Sequence, residues 1–154
     1  MQRRTFLKST LASSAVAVAV GAGLLHPRQV LAAWPKAGFE AKTVQEAMTS
    51  FYGSADSEPS SDITIKVPDI AENGAVVPVT ISTSLPNISS IGIIVEKNGT
   101  PMTANFVMSD SAVGFISTRV KMGKTSNIIA IVTAGGKTYS ARKEVKVTIG
   151  GCGG

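Results

Sequence analysis

From Ile63 to Ile149 apolar and β-branched residues recur at every second position or in short runs, over about 63–67, 75–83, 91–97, 102–108, 114–122, 127–134 and 137–149. A period of two belongs to a strand, whose successive side chains point to opposite faces. Asn73-Gly74, Asn98-Gly99 and Gly135-Gly136 separate the runs with the residues that tight hairpin turns require. Seven short strands in about 90 residues predict an all-β fold, an immunoglobulin-like β-sandwich without the core disulfide of antibody domains. Upstream the period changes. Val44, Ala47, Met48 and Phe51 fall at helical spacing behind the capping box Thr43-Val44-Gln45-Glu46. The pattern predicts one short N-terminal amphipathic helix over about Thr43 to Phe51, its apolar stripe packed on the core. Trp34-Pro35-Lys36-Ala37-Gly38 reads as a linker, and Ser54 to Ser61 as a loop.

The first 32 residues follow a different pattern. Arg3-Arg4-x-Phe6-Leu7-Lys8 precedes a weakly apolar run, Leu11 to Leu25, and then Val30-Leu31-Ala32, a small-residue cleavage site before Ala33. This is the three-part layout of a bacterial export signal in its twin-arginine version, with Arg3, Arg4, Phe6 and Leu7 as the recognised residues. A bilayer span needs about 20 strongly apolar residues, and this run is shorter and diluted by Gly and Ser. The expected location is therefore the periplasm, with no membrane attachment after cleavage. Four parts result: a signal over 1–32, a linker and helix over 33–62, the sandwich over 63–149 and a glycine-rich tail over 150–154.

Cleavage alters the charge that matters. The whole chain carries 15 Lys and Arg against 10 Asp and Glu, a net +5. Arg3, Arg4, Lys8 and Arg28 leave with the signal and no acid does, which brings the mature chain close to neutral. The high pI thus gives no argument for nucleic-acid binding. The single histidine, His26, leaves too. With one cysteine and no histidine, the mature chain cannot build a Cys–His nucleophilic pair or a Cys/His zinc site. No phosphate-binding loop, GxGxxG or HExxH is present. The chain is expected to be no enzyme by itself and to hold no cofactor.

The one cysteine stands in Gly150-Gly151-Cys152-Gly153-Gly154. In an oxidising compartment an unpaired thiol points to intermolecular pairing or deliberate reactivity. The last strand runs straight into Gly150, so the tail is expected to leave a rigid strand.

Three segments carry a resemblance: Pro68-Asp69-Ile70-Ala71-Glu72-Asn73-Gly74-Ala75-Val76-Val77-Pro78-Val79, Ser117-Thr118-Arg119, and Val145 through Gly154 with its Gly-Gly-Cys-Gly-Gly ending. Together they resemble the SoxY family, the sulfur-carrier subunits of bacterial thiosulfate oxidation. The resemblance implies that Cys152 is the covalent attachment point for thiosulfate-derived intermediates, and that Gly150, Gly151, Gly153 and Gly154 form a swinging arm. It also implies a heterodimer with SoxZ, and transient contacts with the SoxAX cytochrome, the SoxB hydrolase and, in some organisms, the SoxCD dehydrogenase. A rival reading is a periplasmic metal-binding or copper-delivery module, which would need Met48, Met102, Met108 and Met122 clustered on the surface. A further rival takes Gly153-Gly154 as the ending of a ubiquitin-like thiocarboxylate carrier, against which the export signal and the fold both argue.

Overall fold

Thr43 holds an extended backbone and caps the helix that follows it. Its hydroxyl accepts the Glu46 amide at 3.1 Å, while the Glu46 carboxylate accepts the Thr43 amide at 3.3 Å. Both halves of the predicted capping box are thus made. The computed structural model describes residues 35–148. Arg3, Arg4, Phe6 and Leu7 of the expected signal lie outside the described residues, as do Gly150, Gly151, Cys152, Gly153 and Gly154. Among the described residues two helices come first, α1 (Lys36–Glu40) and α2 (Val44–Tyr52). Nine strands follow: β1 (Glu58–Pro59), β2 (Ile63–Lys66), β3 (Ile70–Ala71), β4 (Val77–Thr83), β5 (Ile88–Val95), β6 (Met102–Val107), β7 (Phe115–Val120), β8 (Ser126–Ala134) and β9 (Lys137–Val147).

The strands form two sheets. One runs β1-β9-β8-β5-β6, with β3 also paired to β9; the other runs β2-β4-β7. Val77, Val79 and Ile81 from the small sheet meet Ile91, Ile93, Ile128, Ala130, Val132 and Val145 from the large one. This is the expected immunoglobulin-like sandwich, and all seven strands read from the alternation are present. Each fully buried Val or Ile contributes roughly 1.5–3 kcal/mol relative to exposure.

A third layer was not foreseen in the sequence. Ile94 of β5, Met102 of β6 and Ile129 and Ile131 of β8 turn to the opposite face of the large sheet and pack with Ala47 and Met48 of α2. Central strands buried on both faces lose the polar alternation, which is why 91–95 and 128–132 read as unbroken apolar runs. The linker expected at 34–38 is instead occupied in part by α1. Gly38 lies so close to the Phe51 ring that an added Cβ would overlap it, and Phe39 meets Phe51 edge-on at 4.9 Å. A five-residue helix containing a glycine has almost no intrinsic stability, so this tertiary contact is what holds it.

The three turn dipeptides differ in outcome. Gly135 and Gly136 have φ of +56° and +77° and close the β8–β9 hairpin directly, with Ala134 opposite Lys137. Asn98-Gly99 lies in the longer loop of the β5–β6 hairpin. Asn73-Gly74 makes no hairpin: the strand before it pairs with β9 and the strand after it with β2 and β7, so it is a corner between sheets. Turn chemistry in a sequence marks where a chain bends, not what it pairs with afterwards.

Candidate functional site

β9 is the longest strand and leads toward Cys152, so the site is built from what holds its end. On one side it pairs antiparallel with β8 up to Val145 opposite Ser126. On the other it has two short parallel partners: Glu58-Pro59 beside Tyr139-Ser140, and Ile70-Ala71 beside Lys146-Val147. The pairing with β3 is extended by the Lys146 amide donating to the Asp69 carbonyl at 3.0 Å and the Thr148 amide donating to the Ala71 carbonyl at 3.1 Å. Past the end of β8, the Thr125 hydroxyl accepts the Val147 amide at 3.0 Å and reaches the Val147 carbonyl at 3.5 Å. Val145 is wholly buried and Val147 packs against the core. Main-chain bonds to β3 hold one edge as far as Thr148, and the Thr125 side chain holds the other edge as far as Val147.

Three residues lie between Thr148 and Cys152, so four steps of ~3.4 Å put the Cys152 Cα at most about 14 Å from this anchored point. Cys152 and its glycines lie outside the described residues; their mount does not. Among the described residues there is no histidine and no cysteine, and no group of three acids gathers as a metal site. This end of the domain offers a fixed mount rather than an acid–base pair.

The segments that carried the family resemblance are paired with one another. Asp69–Ala71 grips the end of β9, Val77–Val79 continues as β4, and Ser117–Arg119 of β7 pairs with β4 residues Pro78 to Thr80. Thr80 and Ser117 also link through their hydroxyls at 3.1 Å. Gly74 sits at the corner, its carbonyl accepting the Met122 amide at 2.6 Å. A Cβ there would overlap the Met122 carbonyl oxygen. Asp69 forms an exposed ion pair with Lys143 at 3.2 Å.

The methionines of the metal-module reading do not form a surface cluster. Met48 and Met102 are buried between α2 and the large sheet, Met122 is buried between the sheets, and Met108 packs against that second core. Sequence reasoning missed Thr125 and β3 as holders of the strand end. Neither has a periodic signal, because one is a single loop residue and the other is two residues long.

Comparison with known proteins fits this picture. The family model described as sulfur oxidation protein SoxY matches residues 48–152, well over half of the chain and including Cys152. The structure of the sulfur carrier protein SoxY from Chlorobium limicola f thiosulfatophilum is similar at 44% identity with a TM-score of 0.64, over 70% of this chain and 97% of that one. The superoxide reductase (neelaredoxin) from Ignicoccus hospitalis, at 20% identity and a TM-score of 0.51 over 56% of this chain and 80% of that one, shares the fold alone. No curated protein matches. With the family model spanning both the sandwich and the cysteine segment, the chain belongs to the SoxY family of sulfur oxidation proteins.

Proposed function

We propose that this chain is a periplasmic covalent sulfur carrier of thiosulfate oxidation, loaded at Cys152 and catalysing nothing by itself. The observation that carries the reading is that the family match runs through the chain's one cysteine, five residues beyond the end of β9 at Val147, which is tied on both edges. A rigid mount with a short glycine reach suits a thiol that must enter partner active sites while the domain stays outside. Glycine adds no side chain to a narrow passage and adopts conformations closed to other residues.

In this reading Cys152 joins the sulfane sulfur of thiosulfate, the new S–S bond forming with loss of a proton and transfer of an electron pair to a haem enzyme of the SoxAX type. Water then cleaves the terminal sulfonate as sulfate at a SoxB-type hydrolase, leaving a persulfide on Cys152. Where a SoxCD-type dehydrogenase exists, it oxidises that remaining sulfur. An ordinary thiol has a pKa near 8.5 and is only a few per cent thiolate at neutral pH, so the partner enzymes supply the activation. A SoxZ-type sandwich protein completes a heterodimer. Because the mature chain is near neutral, an apolar interface is the expected hold, and it should survive about 1 M salt.

Intact-mass measurement after incubation with thiosulfate and the loading cytochrome tests the central claim. The wild-type chain should gain one thiosulfate adduct and Cys152→Ser none, since a hydroxyl cannot form the S–S bond. An adduct that persists in Cys152→Ser would refute the reading.

A further inference from the structure

The charges of the described domain are sorted along the strands. β5, β7 and β9 end, and β4, β6 and β8 begin, at the pole where the chain leaves for Cys152. The register puts Val95 opposite Ile128, Val77 opposite Val120 and Ser126 opposite Val145. The loops of this pole are stitched together. The Asn98 side chain donates to the Lys121 carbonyl at 2.7 Å and accepts the Gly123 amide at 3.1 Å, and the Lys97 amide donates to the Ser126 hydroxyl at 3.0 Å. Lys97, Lys121, Lys124 and Lys146 are exposed on these loops and on the strand end, and none is in an ion pair among the described residues. Arg119, one residue from the end of β7, adds a fifth cation. Against them stand Glu72, Glu96 and Glu144, with Asp69 already matched by Lys143. At the opposite pole the balance reverses: Asp56, Glu58, Asp62 and Asp110 face one lysine, Lys137.

The same pole exposes apolar surface. Ile70, in the strand that grips Lys146 and Val147, is 57% exposed, and Val76, six residues on, is 50% exposed. Ile70 lies opposite Lys146 in the β3–β9 ladder, so apolar and unpaired charged side chains share this end of the domain, as at a protein-binding face; Val107, Val113 and Phe115 expose apolar surface at the other pole too. Reach makes the location decisive. A catalyst acting on the Cys152 sulfur must come within about 17 Å of Thr148, about 14 Å of backbone plus about 3 Å of side chain, so its surface meets this pole and no other.

We propose that the pole around Ile70, Val76, Lys121, Lys124 and Lys146 is a docking face for a partner protein whose active-site mouth is rimmed by acidic side chains. The charge separation along the domain turns the carrier so that Cys152 arrives first. The far pole lies roughly 35 Å away along β9, several Debye lengths at physiological salt, so it is screened from the partner while the near pole is not. The inference rests on the carrier reading, and it adds the chemistry of the partner's surface and the direction of approach.

Steady-state oxidation of thiosulfate by the loading cytochrome, with the full carrier complex as substrate, tests it. Lys121→Glu with Lys124→Glu should lower kcat/KM on the order of tenfold at low salt, through KM, and should flatten its fall with rising salt. Lys137→Glu, a charge reversal at the far pole, should leave both near wild type. Labelling of Cys152 by a small neutral thiol reagent should be equal in all variants. If the near-pole pair behaves like wild type or like Lys137→Glu, the docking face is wrong while the carrier reading stands. If Cys152→Ser still supports oxidation, the carrier reading itself fails.

Discussion

Thr125 holds Val147 through both of that residue's main-chain polar groups, with its hydroxyl 3.0 Å from the amide nitrogen and 3.5 Å from the carbonyl oxygen. Thr125 stands where β8 has not yet begun, so without its side chain the last paired residue on that edge of β9 is Val145. The hydroxyl thus extends the ladder by two residues toward Cys152, taking the place of a backbone partner.

Thr125→Val keeps the shape and removes the hydroxyl. The part-buried Val147 amide loses its acceptor, and the expected cost is about 1–2 kcal/mol of stability. Native-state hydrogen exchange should show the Val147 amide opening faster, while Ile129 to Ile131 in the core of β8 keep their protection relative to global stability. An unchanged Val147 amide would mean that pairing with β3 alone fixes the strand end.

Tyr52 and Gly92 form a second coupled pair. The Tyr52 hydroxyl donates to Asn105 Oδ1 at 3.0 Å, and a Cβ on Gly92 would overlap that hydroxyl. Gly→Ala in a strand ordinarily gains a few tenths of a kcal/mol to about 1 kcal/mol from reduced unfolded-state entropy. Overlap with a buried polar atom outweighs this, and Gly92→Ala should cost about 1–3 kcal/mol. Tyr52→Phe removes the clashing oxygen and one hydrogen bond of about 1 kcal/mol. The double variant should therefore be more stable than the two single losses added together, by chemical denaturation. Burial also pushes the Tyr52 phenol above its ordinary value of 10.0. As pH rises past about 10, the unfolded chain releases this proton before the folded chain does, so stability falls there; below that pH the effect is absent. Tyr52→Phe should remove that part of the alkaline loss.

Much of this fold was legible because its information is local. The capping box spans four residues and needs only Thr43 and Glu46 to meet, and two adjacent glycines suffice for the β8–β9 turn. Strands β4 and β7 alternate cleanly because one face of each meets the core. The elements missed are those set by distant contacts. Glu58-Pro59 and Ile70-Ala71 are too short to show a period, and each becomes a strand only because β9, far along the chain, lies beside it. Helix α1 depends likewise on Phe51. What was legible of the cysteine segment was its composition, one thiol among four glycines. That Asp69–Ala71 would grip its root was not, since more than 70 residues separate Ala71 from Thr148.

Export should depend on the arginine pair itself. Replacing Arg3 and Arg4 by lysine keeps the charge of the segment, so any receptor that reads charge alone would still accept it. A twin-arginine receptor reads guanidinium groups, whose planar fork lysine does not reproduce. Cell fractionation should therefore find the double Lys variant retained in the cytoplasm with its signal uncut. Normal amounts of mature protein in the periplasm would show that another route exports this chain.

The glycines beside Cys152 allow reach to be separated from reactivity. Gly151→Val with Gly153→Val leaves the thiol in place and adds a branched side chain on each side of it. A small free thiol reagent needs no passage, so its second-order rate with Cys152 should stay near wild type. A partner enzyme that admits bare backbone has no room for those branches, and displacing the sulfur by even about 1 Å costs on the order of a hundredfold in rate. Turnover of thiosulfate should fall by that order while the melting temperature barely moves, because both substitutions lie beyond Thr148 and every described residue of the two cores precedes them. The three measurements must diverge for the account to hold. If the double Val variant turns over at the normal rate, passage through a narrow opening is not what the glycines serve. If reagent labelling slows in step with turnover, the substitutions act on the thiol itself, and the reach argument fails for a different reason.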